Sequence, residues 1–197
     1  MHNVIRMLRN EHRSLTAVLN GLEHLARAAL APSVRPRFAV FRAMLHYIDQ
    51  FPERLHHPKE ESHLFPLLEK RAPEAAPLIE ALRAEHAEGA RRVRELERLL
   101  AEFEVSWPRG TRAFAAATRE YAEFHWKHML REEQELMPLA ERALVAEDWR
   151  AIEEAFVANE DPIADLREQD FASLYTRIVS LAPAPVGLGE RWEKPAD

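Results

Sequence analysis

HHPKEESHLFPLL, residues 56–68, gathers three histidines and two glutamates around two prolines in a stretch that ought to be building a core. Upstream of it Phe41, Leu45, Ile48 and Leu55 recur at helical spacing from about Arg37, and the same face continues through His57, Glu61, Leu64 and Leu68. Each proline removes a donor and disturbs the turn before it, so one helical unit results only where the prolines are absorbed as kinks or local unwinding. On that reading residues 37–70 are helical and present ionisable groups inward. KRAPEAAP, residues 70–77, closes the unit.

Working outward, the remaining periodic segments have the same character. Ile5, Leu8, His12, Leu15, Leu19 and Leu22 form an amphipathic stripe over residues 3–30, ended by APSVRP at 31–36. Leu78, Leu82, His86, Val93, Leu96 and Leu100 mark a helix from about 77 to 105, which SWPRG at 106–110 terminates. Phe114, Ala117, Tyr121, His125, His128, Glu132, Leu136 and Leu139 mark another from about 110 to 140. The expected fold is therefore all-α: an up-down-up-down four-helix bundle over 1–142, since short connections make neighbours antiparallel. Two additional C-terminal helices are expected over 143–182, one carrying Trp149, Ile152 and Phe156, the other Ile163, Leu166, Phe171, Leu174, Ile178 and Leu181. Residues 183–197, rich in proline and glycine, read as a tail that Trp192 could anchor.

Composition narrows the function. With 197 residues, 47% hydrophobic and only five glycines, the chain has material for one helical core. It has no cysteine, which excludes disulfides, iron–sulfur ligation and thiolate nucleophiles and leaves imidazole and carboxylate to hold any metal. The formal charge of −6 and the interspersed signs argue against a nucleic-acid footprint, RRVRELER at 91–98 reading as a solvated helix flank. MHNVIRMLRN is too polar for a signal peptide, and no apolar run reaches the ~18 residues of a membrane span, so the expected location is the cytoplasm.

His12, His57, Glu61, His86, His128 and Glu132 lie in phase with residues that must face the core, and each bundle helix contributes at least one. A buried carboxylate costs several kcal/mol unless paired or metal-bound, so two of them facing four imidazoles read as a ligand shell. His57 and Glu61, like His128 and Glu132, are four residues apart, which puts each pair on one helix face about a turn apart. A histidine can then hold one metal while the carboxylate reaches a second about 3.5 Å away. Such donors suit iron, manganese or zinc, and two bridging carboxylates favour a redox-active pair over a structural zinc. HHPKEESHLFPLLEK and HWKHMLREEQELMPLAE also share a plan: histidine, a four-residue step, double glutamate, then an apolar residue and proline.

With LRNEHRSL, HHPKEESHLFPLL, LRAEHAEG and FHWKHMLREEQELMP in that order, residues 3–140 resemble the hemerythrin-like, HHE cation-binding family. The resemblance implies a four-helix bundle with a non-heme di-iron centre, His12, His57, Glu61, His86, His128 and Glu132 or Glu133 matching the family's ligands. Helical phase favours Glu132, since Glu133 turns about 100° further towards solvent. Oxygen-carrying members have a second third-helix histidine one turn on, where this chain has Ala90. His56, Glu60 or His125 are candidates to supply the missing ligand. His63, His24 and His46 read as solvated or interhelical residues, and Tyr121 as a core residue or a hydrogen-bond partner of a ligand. The implied function is a di-iron protein that binds or senses oxygen or a related diatomic or peroxide. The alternatives are a di-iron oxidase or peroxide-consuming enzyme and a metal-stabilised interaction module, with a protein partner or homodimer left open.

Overall fold

Phase along the longest helices explains where the core lies. The computed structural model describes residues 2–31, 35–158, 174, 176–190 and 192, and these are helical apart from turns and one isolated bridge between Pro183 and Gly189. Helix α1 (Asn3–Ala28) buries Ile5, Leu8, His12, Leu15, Leu19 and Leu22 along one stripe. After α2 (Phe38–Gln50) come two wide π turns, Pro52–His56 and Glu60–Leu64, separated by the single α turn His57–Lys59. Helix α3 (Phe65–Arg71) and a short 3₁₀ turn (Pro73–Ala75) then lead into α4 (Ala76–Ser106), whose Pro77 occupies the first turn, where its missing N–H matters least. Gly110, at φ 83°, reverses the chain into α5 (Thr111–Arg131). A third wide turn (Glu132–Leu136), α6 (Met137–Ala143) and α7 (Ala146–Ala158) follow.

The helical unit expected over 37–70 shows the local unwinding that its prolines call for, and the helix expected over 110–140 is widened in the same way at Glu132–Leu136. Pro58, Pro66 and Pro138 each follow a wide turn closed by a bond over five residues: His57 N–H to the Pro52 carbonyl, Phe65 to Glu60, and Met137 to Glu132. A proline cannot bond to the carbonyl four residues back and its ring presses against it, and widening the turn relieves both problems.

α1 packs against α2 and α5, and α4 against α2 and α5. Two apolar clusters result. One contains Leu15, Leu19, Phe41, Val93, Phe103 and Phe114. The other contains Ile5, Leu8, Leu64, Phe65, Leu82 and Leu136. His12 lies between Leu8 and Leu15 on α1, and His86 between Leu82 and Val93 on α4, so a polar layer separates the two clusters.

The described C-terminal residues pack against both apolar clusters. On α7, Trp149, Ile152 and Phe156 complete the second cluster. Ile163, Leu166 and Phe171 lie outside the described residues, whereas Ile178 is buried in the first cluster with Leu174 and Leu181 packed against it. Leu188 and Gly189 donate to the carbonyls of Val179 and Ala182, and the Trp192 ring lies 6.0 Å from that of Phe41. Phe156 is fully buried and carries the Lys59 ammonium over its ring at 5.6 Å, so α7 braces the segment between the wide turns. Phe156→Ala should lower unfolding free energy by about 3 kcal/mol, read as a shift of the urea midpoint with the slope unchanged.

Candidate metal centre

The wide turns decide which side chains enter the polar layer. Each adds a residue to its turn, so neighbours that an α-helix would send about 100° apart can both face inward. His56 and His57 are accordingly both buried. Glu60 and Glu132, the first residues of two wide turns, are 0% exposed and face each other across the layer.

Around these carboxylates five imidazoles converge. Glu132 divides its oxygens, Oε2 lying 3.1 Å from His12 Nε2 and Oε1 3.1 Å from His128 Nε2. Glu60 Oε2 lies 3.6 Å from His86 Nε2 and 3.8 Å from His56 Nε2. Two compact donor groups result: His57, His86 and His128 form one, and His12, His56, Glu60 and Glu132 the other, with the donor atoms of each within 4.8 Å of one another. All four oxygens of Glu60 and Glu132, and Nε2 of His86 and His128, are buried without an aligned hydrogen bond. Groups so desolvated and unmatched fit cations in the spaces between them.

The outer nitrogens are held by an acidic ring. His12 Nδ1 meets Glu133 at 2.9 Å, His56 Nδ1 meets Glu11 at 2.7 Å, His86 Nδ1 meets Glu61 at 2.7 Å and His128 Nδ1 meets Glu85 at 2.9 Å. His57 Nδ1 faces Glu53 at 3.5 Å. A carboxylate accepting Nδ1–H fixes the tautomer and leaves the Nε2 lone pair pointing inward, the usual support of a metal-bound histidine.

Of the residues expected from sequence, His12, His57, His86, His128 and Glu132 are brought together here, and Glu61 is not among them. Its side chain is 40% exposed and holds the far nitrogen of His86, while Glu60 takes the central position. Counting four from His57 fails because the wide turns reset the phase; counting four from His56 reaches Glu60. The shared plan of residues 56–70 and 125–141 contains this signal: superposing EESHLFP on EEQELMP places Glu60 on Glu132 and His56 on His128. The His57 ring stacks on His86 with centroids 4.0 Å apart, which brings an imidazole from the second helical segment into the group with His86 and His128. His125 is buried but belongs to neither donor group, its Nε2 lying 3.9 Å from Glu53 Oε1. Gly89 leaves room for that pair, since a Cβ there would approach Glu53 Oε1 at 3.0 Å.

The model of the hemerythrin HHE cation binding domain matches residues 3–140. The chain belongs to that family. No curated protein matches it. The match ends before α7, so the second apolar cluster of this hemerythrin-like chain extends past the family domain. No described helix is long and apolar enough to cross a membrane.

Burial and charge divide the protons unevenly. Burial, reinforced by the Glu132 charge, pushes Glu60 well above the usual carboxylate range. Burial acts the same way on Glu132, but His128, His12 and His86 outweigh it and hold that carboxyl well below the range. Burial opposes charge on His128, yet Glu132 and Glu85 raise it to about 9. His12 is raised similarly, Glu132 and Glu133 overcoming its burial. His56 and His57 are lowered by burial, and His125 falls to about 3 through burial and the nearby His128. Glu53 rises to about 8 because it is buried.

These shifts set a stability profile for chelator-stripped protein. Above pH 6.5 the folded chain retains protons on His128, up to about 9, and on Glu53, up to about 8, that the unfolded chain has released. Stability must therefore fall as pH rises through that window. The lowered histidines act in the opposite sense below 6.5, where the unfolded chain binds more protons. The urea midpoint of stripped protein should drop between pH 7 and 9, and Glu53→Gln should flatten its pH 7 to 8 portion.

Proposed function

We propose that this chain holds a pair of transition-metal cations, iron foremost, with manganese or zinc as substitutes, and that it binds or senses a small oxidant such as dioxygen or a peroxide. The observation carrying this reading is the pair of fully buried, unmatched carboxylates, Glu60 and Glu132, each within reach of imidazoles from both donor groups. An up-down-up-down arrangement of the four long helical segments agrees with it: on α1 and α5 Thr16 meets Met129, while Arg27, later on α1, lines a separate groove with Arg112, earlier on α5, as expected of antiparallel neighbours.

When bound, such a pair would supply reversible electron transfer and Lewis acidity to an oxygen-containing ligand. His57, His86 and His128 would hold one cation, His12 and His56 the other, and Glu60 and Glu132 would bridge them. The acidic ring keeps the imidazoles of His12, His56, His86 and His128 oriented. The two sides differ in donor number, three imidazoles against two. A cleft of about 290 Å³ meets His12 on the outer face of the two-imidazole side, next to Glu133. Oxidant access is therefore assigned to that side. The apolar clusters on either side exclude bulk water and strengthen the charge interactions between them.

Metal analysis after stripping and reloading with ferrous iron tests the reading. Wild-type protein should hold two ions per chain, matching its two donor groups. Glu60→Gln and Glu132→Gln should reduce this below about one, whereas Glu61→Gln should retain both with affinity weakened roughly 10- to 100-fold. Affinity should also rise with pH up to about 9, because His128 and Glu60 must surrender protons to the cations. A wild-type content below about one ion per chain would defeat the proposal.

A further inference from the structure

The site is built on an internal two-fold plan with one exception. Glu11 and His12 on α1 correspond to Glu85 and His86 on α4, each His reached at Nδ1 by a glutamate from a wide turn, Glu133 and Glu61. His56, Glu60 and Pro66 correspond to His128, Glu132 and Pro138. The residue after His56 is His57, the fifth imidazole. The residue after His128 is Met129.

Met129 holds the corresponding place in the sequence, but on the regular helix α5, where no wide turn carries it inward beside His128. It is only 6% exposed, and its Sδ lies 3.9 Å from the Thr16 hydroxyl, which donates to it weakly. Thr16 stands one turn past His12, as Ala90 stands one turn past His86. Met129, Thr16 and His12 all line the 290 Å³ cleft, with Trp126 and Leu130 completing its apolar wall. A small molecule approaching His12 passes the thioether.

We propose that Met129 is a modification site, oxidised to methionine sulfoxide by a peroxide bound on the His12–His56 side. The inference rests on the cation-binding reading above. In the step, a sulfur lone pair attacks one peroxide oxygen, the O–O bond breaks, and an S–O bond forms. The other oxygen leaves as water with both protons, so one hydrogen peroxide and one thioether give one sulfoxide and one water. The sulfoxide oxygen is a far better acceptor than sulfur. Thr16 then anchors the enlarged polar side chain across the cleft, which slows further ligand access until a sulfoxide reductase reverses the change.

The remaining described methionines provide the reference. Met44 and Met137 are fully buried, whereas Met7 is half-buried on α1 and packs in the second apolar cluster. Full-length protein, either iron-loaded and air-oxidised or chelator-stripped, is treated with one equivalent of hydrogen peroxide, and peptide mass spectrometry measures oxygen gain at each methionine. Proximity to a held peroxide should make the Met129-to-Met7 oxidation ratio at least about fivefold higher in loaded protein. An equal ratio in protein carrying two ions per chain would overturn this inference alone. Failure to load iron, measured on the same samples, would overturn both it and the cation reading. Peroxide pretreatment of loaded wild type should also slow the growth of the azide absorption band several-fold, reversibly with methionine sulfoxide reductase, while Met129→Leu should be insensitive. An equal slowing in Met129→Leu would remove Met129 from the effect.

Discussion

Two carboxylates, Glu60 and Glu132, fully removed from solvent and facing one another, are the constraint around which the rest of this bundle is arranged. Left alone they would repel at short range in a medium that screens poorly. The chain answers by surrounding them with imidazoles and by dividing protonation unequally, so that Glu132 keeps its charge while Glu60 resists ionisation. Neither answer provides aligned hydrogen bonds for their four oxygens. The family to which residues 3–140 belong is one that binds cations, which agrees with that residual demand for positive charge.

Backbone geometry makes this crowding achievable. Two buried, consecutive histidines cannot both point inward from a regular helix, and the wide turns ending at His56 and Leu64 relax the rule. Pro58, Pro66 and Pro138 fix where the widening occurs. They also account for the likeness of the two histidine–glutamate segments, which have the same turn at the same distance before the same proline. The apolar clusters above and below give this irregular backbone a rigid frame.

Much of this is legible in the sequence where the helix is unbroken. On α1 and α4 nothing disturbs the three- and four-residue count, so the inward positions of His12 and His86 follow directly from Leu8, Leu15, Leu82 and Val93. His128 and Glu132 are readable too, because the third wide turn starts only at Glu132. The count fails across Pro58, where extrapolation from His57 reaches Glu61 in place of Glu60. Internal comparison of the two segments corrects the phase, since it requires no assumption about helix regularity. The outer partners Glu11 and Glu85 have no such signal: they are polar flank residues whose contacts appear only when α1 meets the second segment and α4 meets α5. Joining of α7 to the second cluster is visible in its stripe of Trp149, Ile152 and Phe156, but its bracing of Lys59 is a tertiary fact.

The acidic ring has a thermodynamic consequence beyond orientation. Glu11, Glu61, Glu85 and Glu133 press electron density onto the imidazoles from behind, adding to the charge of Glu132. A more electron-rich cage favours the higher-valent member of any redox couple it encloses, and so lowers its midpoint potential. Neutralising outer carboxylates one by one would move that potential upward in steps, making the ring a tuning dial set apart from the cage itself.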